Sequence, residues 1–113
     1  MVKNYIPERG DIVWLDFTPQ AGHEQRERRP SLVLSHAAYN AKVGLAIFCP
    51  ITSIEKGYPF EIKIATKKTI GCVLADQIKS LDWKIRNIEF IEKIKPESLE
   101  KALEKLKIII DNS

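Results

Sequence analysis

Hydrophobic and polar residues alternate along most of this chain in short segments, and the spacing becomes helical only near the end. Residues 60–64 (FEIKI) alternate cleanly, as a half-buried strand should. The apolar runs around Leu32–Leu34 and at 45–52 predict buried strands, the second of them central. In all, the pattern predicts strands at 11–17, 31–35, 45–52, 60–64, 71–74 and 87–94.

The last part of the chain has the spacing of an amphipathic helix. Pro96 can occupy its first turn, where a missing N–H costs nothing. Apolar residues then recur every three or four positions. They are Leu99, Ala102, Leu103, Leu106, Ile109 and Ile110. A short helical turn is also expected at 36–42, before Gly44. Many short strands and one terminal helix favour a single mainly β domain over 1–113, built on a bent, barrel-like sheet.

Two polar loops interrupt the strand pattern, and the first carries the densest charge. This loop, placed at 18–30, contains His23, Glu24, Gln25, Arg26, Glu27, Arg28 and Arg29. Arginine forks suit phosphate groups, and a glutamate can accept a proton. Composition alone favours a solvated surface loop whose opposite charges partly cancel. Its position favours a functional site, because long loops on small β domains often carry one.

The second loop follows a buried strand and offers hydroxyls and a cation. Thr52 and Ser53 can donate to a phosphate and Lys56 can neutralise it, although such residues also end many strands. Phe17 and Tyr58 border the polar loops, so we expect them to be available for stacking on unpaired bases. The other aromatic residues, together with His36, Asp76 and Gln77, are expected to have structural roles.

Composition narrows the function classes only moderately. The net charge of +3, from 18 basic and 15 acidic residues, favours polyanionic partners weakly, so the distribution of charge matters more. The sequence has neither a signal-peptide pattern nor a membrane span, and Cys49 and Cys72 read as buried free thiols of a reducing cytoplasm. No metal-ligand cluster or Gly-rich phosphate loop is present, so an enzyme would work with side chains alone. A chain this short would gain from dimerisation.

At these residues the chain resembles the MazF/PemK family of toxin endoribonucleases. The similar segments run in order through nearly the whole chain, and the ordered set is far more specific than any one of them. They are PERGDIVWLDF at 7–17, GHEQ at 22–25, Arg29-Pro30, VLS at 33–35, Tyr39-Asn40, PIT at 50–52, KGYPF at 56–60 and LADQIKS at 74–80.

The resemblance implies an SH3-like β-barrel of the CcdB/MazF/PemK type with a C-terminal α-helix. It also implies a homodimer that cleaves single-stranded mRNA at short motifs, with an ACA-containing site as the expectation, and a separate antitoxin with an extended acidic tail. Carried over by position, Arg29 and Thr52 match the catalytic pair. Glu24, Lys56 and Phe17 match residues linked to activity or RNA contact, and we add Gln25, Arg28, Ser53 and Tyr58 as substrate-binding candidates. No metal or other cofactor is expected.

These residue types suit metal-free RNA cleavage, because RNA carries its own nucleophile in the 2′-hydroxyl. Arginine can stabilise the phosphorane and threonine can donate a hydrogen bond to it. Since arginine is a poor general base, we favour Glu24 for that role and leave the general acid open. Two alternatives remain: a non-enzymatic toxin resembling the gyrase poison CcdB, and an RNA-binding barrel without activity.

Overall fold

The computed structural model describes residues 4–18 and 27–111, which form seven strands and two α-helices. A single 3₁₀ turn, Trp83–Ile85, precedes the last strand. The strands are β1 (Asp11–Thr18), β2 (Glu27–Val33), β3 (Ala46–Thr52), β4 (Glu61–Ala65), β5 (Ile70–Leu74), β6 (Lys79–Leu81) and β7 (Glu89–Lys93); the helices are α1 (Ala37–Val43) and α2 (Pro96–Asp111).

All strand pairings are antiparallel, and the strands form one curled sheet. The order is β4-β5-β3-β2-β1-β7, with β6 also paired to β3. The turn between β4 and β5 reaches β7 on the open side, where the Thr66 hydroxyl donates to the Glu92 carboxylate and Lys68 Nζ lies 3.5 Å from the Ile91 carbonyl oxygen. The sheet therefore curls into a half-barrel, as the resemblance implied.

Strand alternation sends side chains into two cores, one on each face of the sheet. Ile12 and Leu32 belong to the core that Leu99, Leu103 and Leu106 of α2 cover. The opposite core contains Val13, Leu15, Phe17, Val33, Ala46 and Phe48, with Trp83 packed against it. Because both faces are covered, β3 can be apolar along its length, which explains the strongest hydrophobic run in the sequence.

Most predicted elements are confirmed, one strand was missed, and one loop boundary is wrong. The short helix is confirmed as α1 and ends at Gly44, whose φ of 83° is the left-handed cap that glycine favours. β6 was not predicted, since three residues provide too little pattern. The first loop was predicted to extend to residue 30, but β2 begins at Glu27. Pairing with β1 keeps this polar segment extended, because Leu15 lies opposite Arg29 and Asp16 opposite Arg28.

None of the helices in the described part of the chain has the length and apolar character needed to cross a membrane.

Candidate active site

A cavity of about 230 Å³ gathers most of the predicted site residues at one edge of the sheet. Its lining combines two cations, a hydroxyl, a phenol, a carboxylate and an amide with two apolar side chains. The lining residues are Arg29, Thr52, Ile54, Lys56, Tyr58, Glu61, Leu74 and Gln77. Arg29, Thr52, Lys56 and Tyr58 were all predicted from the sequence, where Arg29 lies 23 positions before Thr52.

Strand pairing explains why Arg29 and Thr52 lie together. Ser31 of β2 is opposite Pro50 of β3, so two steps outward along both antiparallel strands place Arg29 and Thr52 on the same face. On the other side of β3, Thr52 pairs with Cys72 of β5. The chain is close enough there that a Cβ on Gly71 would collide with the Thr52 carbonyl oxygen. The backbone under Thr52 is therefore fixed from both sides.

Among the residues at 4–18 and 27–111, none accepts a hydrogen bond from the Thr52 hydroxyl, so its proton is available for a ligand. Its oxygen accepts a hydrogen bond from the backbone N–H of Ile54 at 3.2 Å. A hydroxyl has one donor and can accept as well, so this contact orients the oxygen without using the O–H. Thr52 can thus donate to an oxygen of a bound phosphate.

Arg29 forms an exposed ion pair that a phosphate could replace. Its Nη2 lies 2.6 Å from Glu27 Oε2, and the two side chains are 34% and 49% exposed. Exposed pairs of this kind contribute about 0–1 kcal/mol, because water and salt screen them. A dianionic phosphorane would compete well for the same planar fork.

Ser53 and Lys56 lie on the loop between β3 and β4, close to Arg29 and Thr52. Ser53 lines a neighbouring cavity of about 780 Å³, which shares Arg29 and Thr52 with the smaller one. Lys56 and Tyr58 line the smaller cavity, and the Tyr58 side chain is 55% exposed. A half-exposed ring at a cavity rim can stack on a base, as the sequence analysis expected for Tyr58.

Phe17 is not placed as expected. The prediction that it would be available for stacking is wrong, because its side chain is only 9% exposed and packs in the core with Leu15 and Phe48. Lys79 covers the ring further, with Nζ 5.8 Å from its centroid. The strand alternation that buries Val13 and Leu15 also buries Phe17, and this outweighs its position at the end of β1.

The guanidinium of Arg28 is held by protein groups and does not line the smaller cavity. It donates to Asp16 Oδ1 at 3.1 Å and to the Asn87 carbonyl oxygen at 2.8 Å, and its Nη2 lies 3.3 Å from Glu89 Oε1. Asp16 is 3% exposed, so Arg28 neutralises a nearly buried carboxylate. Arg28 thereby ties β1, β2 and the start of β7 together. It also lines the neighbouring cavity of about 780 Å³ beside Arg29 and Thr52, so its contact with RNA stays a prediction.

Glu24 and Gln25, the remaining predicted site residues, lie outside the described residues. Both belong to the segment that joins β1 to β2.

Glu61 and Gln77 line the cavity but were not chosen as site residues from the sequence. In the sequence, Glu61 is simply one of the polar residues of the alternating strand predicted at 60–64. Gln77 was given a structural role, although its position within LADQ in the family-like segment was a usable signal. Only the tertiary structure brings either side chain to Arg29.

Neither cysteine is suited to nucleophilic chemistry. Both are free and buried. Burial is the main cause that raises the pKa of Cys49 to about 12, with a smaller contribution from Asp76, so the thiol stays protonated at neutral pH. Among the described residues, His, Cys, Asp and Glu form no group of three that could hold a metal ion.

Comparisons with known proteins identify the family to which this chain belongs. Residues 8–110 match the family model described as "PemK-like, MazF-like toxin of type II toxin-antitoxin system". The chain is 40% identical over 110 residues to the endoribonuclease toxin MazF of Escherichia coli K12, covering 97% of this chain and 99% of the relative. It is 34% identical over 117 residues to the endoribonuclease toxin ChpB of the same strain, covering 98% of this chain and all of the relative.

A solved structure of similar chain length gives the same result. The MazE–MazF complex of Deinococcus radiodurans (Form-II) matches with a TM-score of 0.90 and 48% identity, covering 97% of this chain and 100% of the matched chain. Sequence and fold therefore agree over nearly the full length, and the chain belongs to the PemK-like, MazF-like family of type II toxin–antitoxin toxins.

Proposed function

We propose that this toxin endoribonuclease cleaves single-stranded RNA, principally mRNA, in the Arg29–Thr52 cavity by metal-independent attack of the 2′-hydroxyl. The observation that carries the proposal is that Arg29, Thr52 and Lys56 line one cavity. A permanent cation, a free hydroxyl proton and a second cation match what a phosphodiester needs as charge develops. Cleavage of mRNA would block translation, which accounts for toxicity.

The proposed reaction forms the O2′–P bond and breaks the P–O5′ bond. The 2′-hydroxyl proton goes to a general base, for which we propose Glu24, and the leaving 5′-oxygen takes up a proton from a donor that we do not assign. Arg29 stabilises the phosphorane and Thr52 donates to its oxygen. Arginine stays charged at neutral pH, so it serves better as an electrostatic group than as a base. The products are a 2′,3′-cyclic phosphate, or its opened form, and a 5′-hydroxyl.

Cleavage of a mixed-sequence RNA in excess chelator tests this function and separates it from the alternatives. We expect cleavage to persist, with 5′-hydroxyl ends, because the described site residues supply charge and a hydroxyl without a metal. Activity that needs magnesium and leaves 5′-phosphate ends would contradict the mechanism. Binding without cleavage would favour an inactive RNA-binding barrel. The absence of both binding and cleavage would favour a CcdB-like poison of gyrase.

We propose that the active form is a homodimer whose seam lies beside this cavity. The neighbouring cavity of about 780 Å³ is bordered by large apolar side chains that water reaches: Trp14 is 39% exposed, Ile54 62% and Ile70 76%. Exposed apolar side chains grouped in this way are typical of protein interfaces. A second copy is the partner that a short chain with a modest core most needs. The pairing would extend the RNA track across two subunits.

We further propose that an antitoxin with an extended acidic tail occupies the same track. The proposal rests on the positive groups Arg29 and Lys56, since a groove that attracts phosphates also attracts carboxylates. MazE is the partner of MazF in the matched structure from Deinococcus radiodurans. A tail that folds on binding can cover a long surface and block two sites at once.

The RNA substrate and the two unpaired thiols support a cytoplasmic location.

Competition binding between a non-cleavable RNA and the cognate tail peptide tests the shared track. We expect each ligand to displace the other and the affinity of both to fall as salt rises, because both associations are electrostatic. Simultaneous binding of both ligands without mutual loss of affinity would show that the antitoxin uses another face.

A further inference from the structure

The carboxylate of Glu61 closes the loop that carries Lys56. The backbone N–H of Lys56 lies 3.1 Å from Glu61 Oε2 and 3.3 Å from Oε1, and the N–H of Gly57 donates to Oε1 at 3.0 Å. Gly57 has a φ of 82°, which glycine adopts without strain. Two successive N–H groups directed at one anion form a backbone nest, and here an internal carboxylate occupies it.

Glu61 is held by the sheet while the loop depends on it. It begins β4, where it pairs with Leu74 of β5, and its own N–H donates to the Tyr58 carbonyl oxygen at 3.2 Å. Glu61 therefore links a strand to the loop twice: its side chain holds the backbone of Lys56 and Gly57, and its own N–H holds Tyr58. Lys56 and Tyr58 line the cavity with it. Sites supported from strands are positioned more precisely than sites on unsupported loops.

The charge of Glu61 is unfavourable for an RNA site unless it serves another purpose. A carboxylate in the cavity with Arg29 and Thr52 repels an incoming phosphate. Its three contacts with backbone N–H groups give the reason for its presence there, because hydrogen bonds to a charged acceptor are among the stronger ones.

We propose that Glu61 is a positioning residue: it fixes the 53–60 loop so that Lys56 and Tyr58 meet the RNA. The inference rests on the proposed function, since it concerns how that site is assembled. Glu61 acts through the loop, and Arg29 and Thr52 are supplied by other strands. Loss of Glu61 should therefore affect substrate binding more than the chemical step.

Replacing Glu61 with Ala tests the proposal, and Glu55 provides a matched control on the same loop. Within the part of the chain that the structure describes, Glu55 forms one exposed ion pair, with Oε1 3.5 Å from Lys63 Nζ. Both substitutions remove one negative charge near the site. If charge alone mattered, both would improve RNA binding. We expect Glu61→Ala to raise KM about tenfold with kcat changed less than about threefold, as expected when charged hydrogen bonds are lost. Glu55→Ala should leave KM unchanged or lower it.

A double-substitution cycle with Lys56 identifies the route of the effect. If Glu61 acts by placing the loop, the combined Lys56→Ala and Glu61→Ala substitutions should raise KM by clearly less than the product of the two single effects, with the remainder due to Tyr58. Glu61→Gln keeps one acceptor oxygen and should fall between wild type and Glu61→Ala. A fully additive cycle, or a KM for Glu61→Ala that falls as it does for Glu55→Ala, would overturn the proposal.

Amide hydrogen exchange gives a readout that does not depend on RNA cleavage. We expect the N–H groups of Lys56 and Gly57 to exchange much faster in Glu61→Ala than in wild type, while the amides of β3 remain protected. Unchanged exchange at both loop amides would refute the loop-closing role even if the enzyme cleaves RNA. Conversely, if the protein does not cleave RNA but the loop amides exchange faster in Glu61→Ala, the proposed function is wrong and the loop-closing role of Glu61 is still supported.

Discussion

Arg29→Ala and Thr52→Ala are each expected to lower the rate of RNA cleavage by at least about a hundredfold, the scale seen when a transition-state donor is lost. Arg29 would no longer neutralise the phosphorane, and Thr52 would no longer donate to its oxygen. Cleavage of a short RNA under single-turnover conditions measures the chemical step directly. Binding of uncleaved RNA should weaken much less, because these contacts strengthen as charge develops.

Both variants should remain folded, because the two side chains line an open cavity. Thr52→Ser keeps the hydroxyl and should retain most of the activity, whereas Arg29→Lys keeps the charge but loses the fork and should be impaired. Arg9→Ala is a suitable control, since Nη1 of this arginine lies 3.0 Å from His36 Nε2 and Arg9 does not line the cavity. Near-normal single-turnover rates in folded Arg29→Ala or Thr52→Ala would remove that residue from the mechanism.

Asn40→Ala is expected to lower the free energy of unfolding by about 2–4 kcal/mol, since buried polar groups would lose their partners. Asn40 is fully buried in α1. Its Nδ2 donates to the carbonyl oxygens of Pro7 at 2.8 Å and Ser35 at 3.0 Å, and its Oδ1 accepts from the Ser35 hydroxyl at 2.6 Å. The amide thus ties the segment before β1 to the segment after β2. Urea unfolding followed by circular dichroism measures the change.

Lys42→Ala is the control for this substitution, because Lys42 is exposed on the same helix. It should change stability by less than about 0.5 kcal/mol, as surface substitutions usually do. If Asn40→Ala were as stable as Lys42→Ala, the hydrogen bonds of the amide would contribute nothing net to folding. Because α1 lies away from the cavity, folded Asn40→Ala should still cleave RNA at low temperature.

The sequence by itself determined most of the secondary structure of this protein. Alternation at 60–64 and the apolar run at 45–52 reflect local rules: a strand buried on one face alternates, and a strand buried on both faces is apolar throughout. The spacing of leucines after Pro96 predicted α2, because apolar residues every three or four positions form one face of a helix. Arg29, Thr52 and Lys56 were named from residue type, loop position and resemblance, and no tertiary information was needed for that.

Only the tertiary structure decided which polar side chains face the site. Arg28 and Arg29 are adjacent and chemically identical, but the guanidinium of Arg28 binds Asp16, whereas Arg29 lines the smaller cavity with Thr52. Phe17 borders a polar segment but is buried, since its strand already packs Val13 and Leu15 on that face. Glu61 reaches Lys56 and Gly57 only because the chain turns back before β4. These outcomes depend on register and on contacts between distant segments, which a local pattern of residues does not encode.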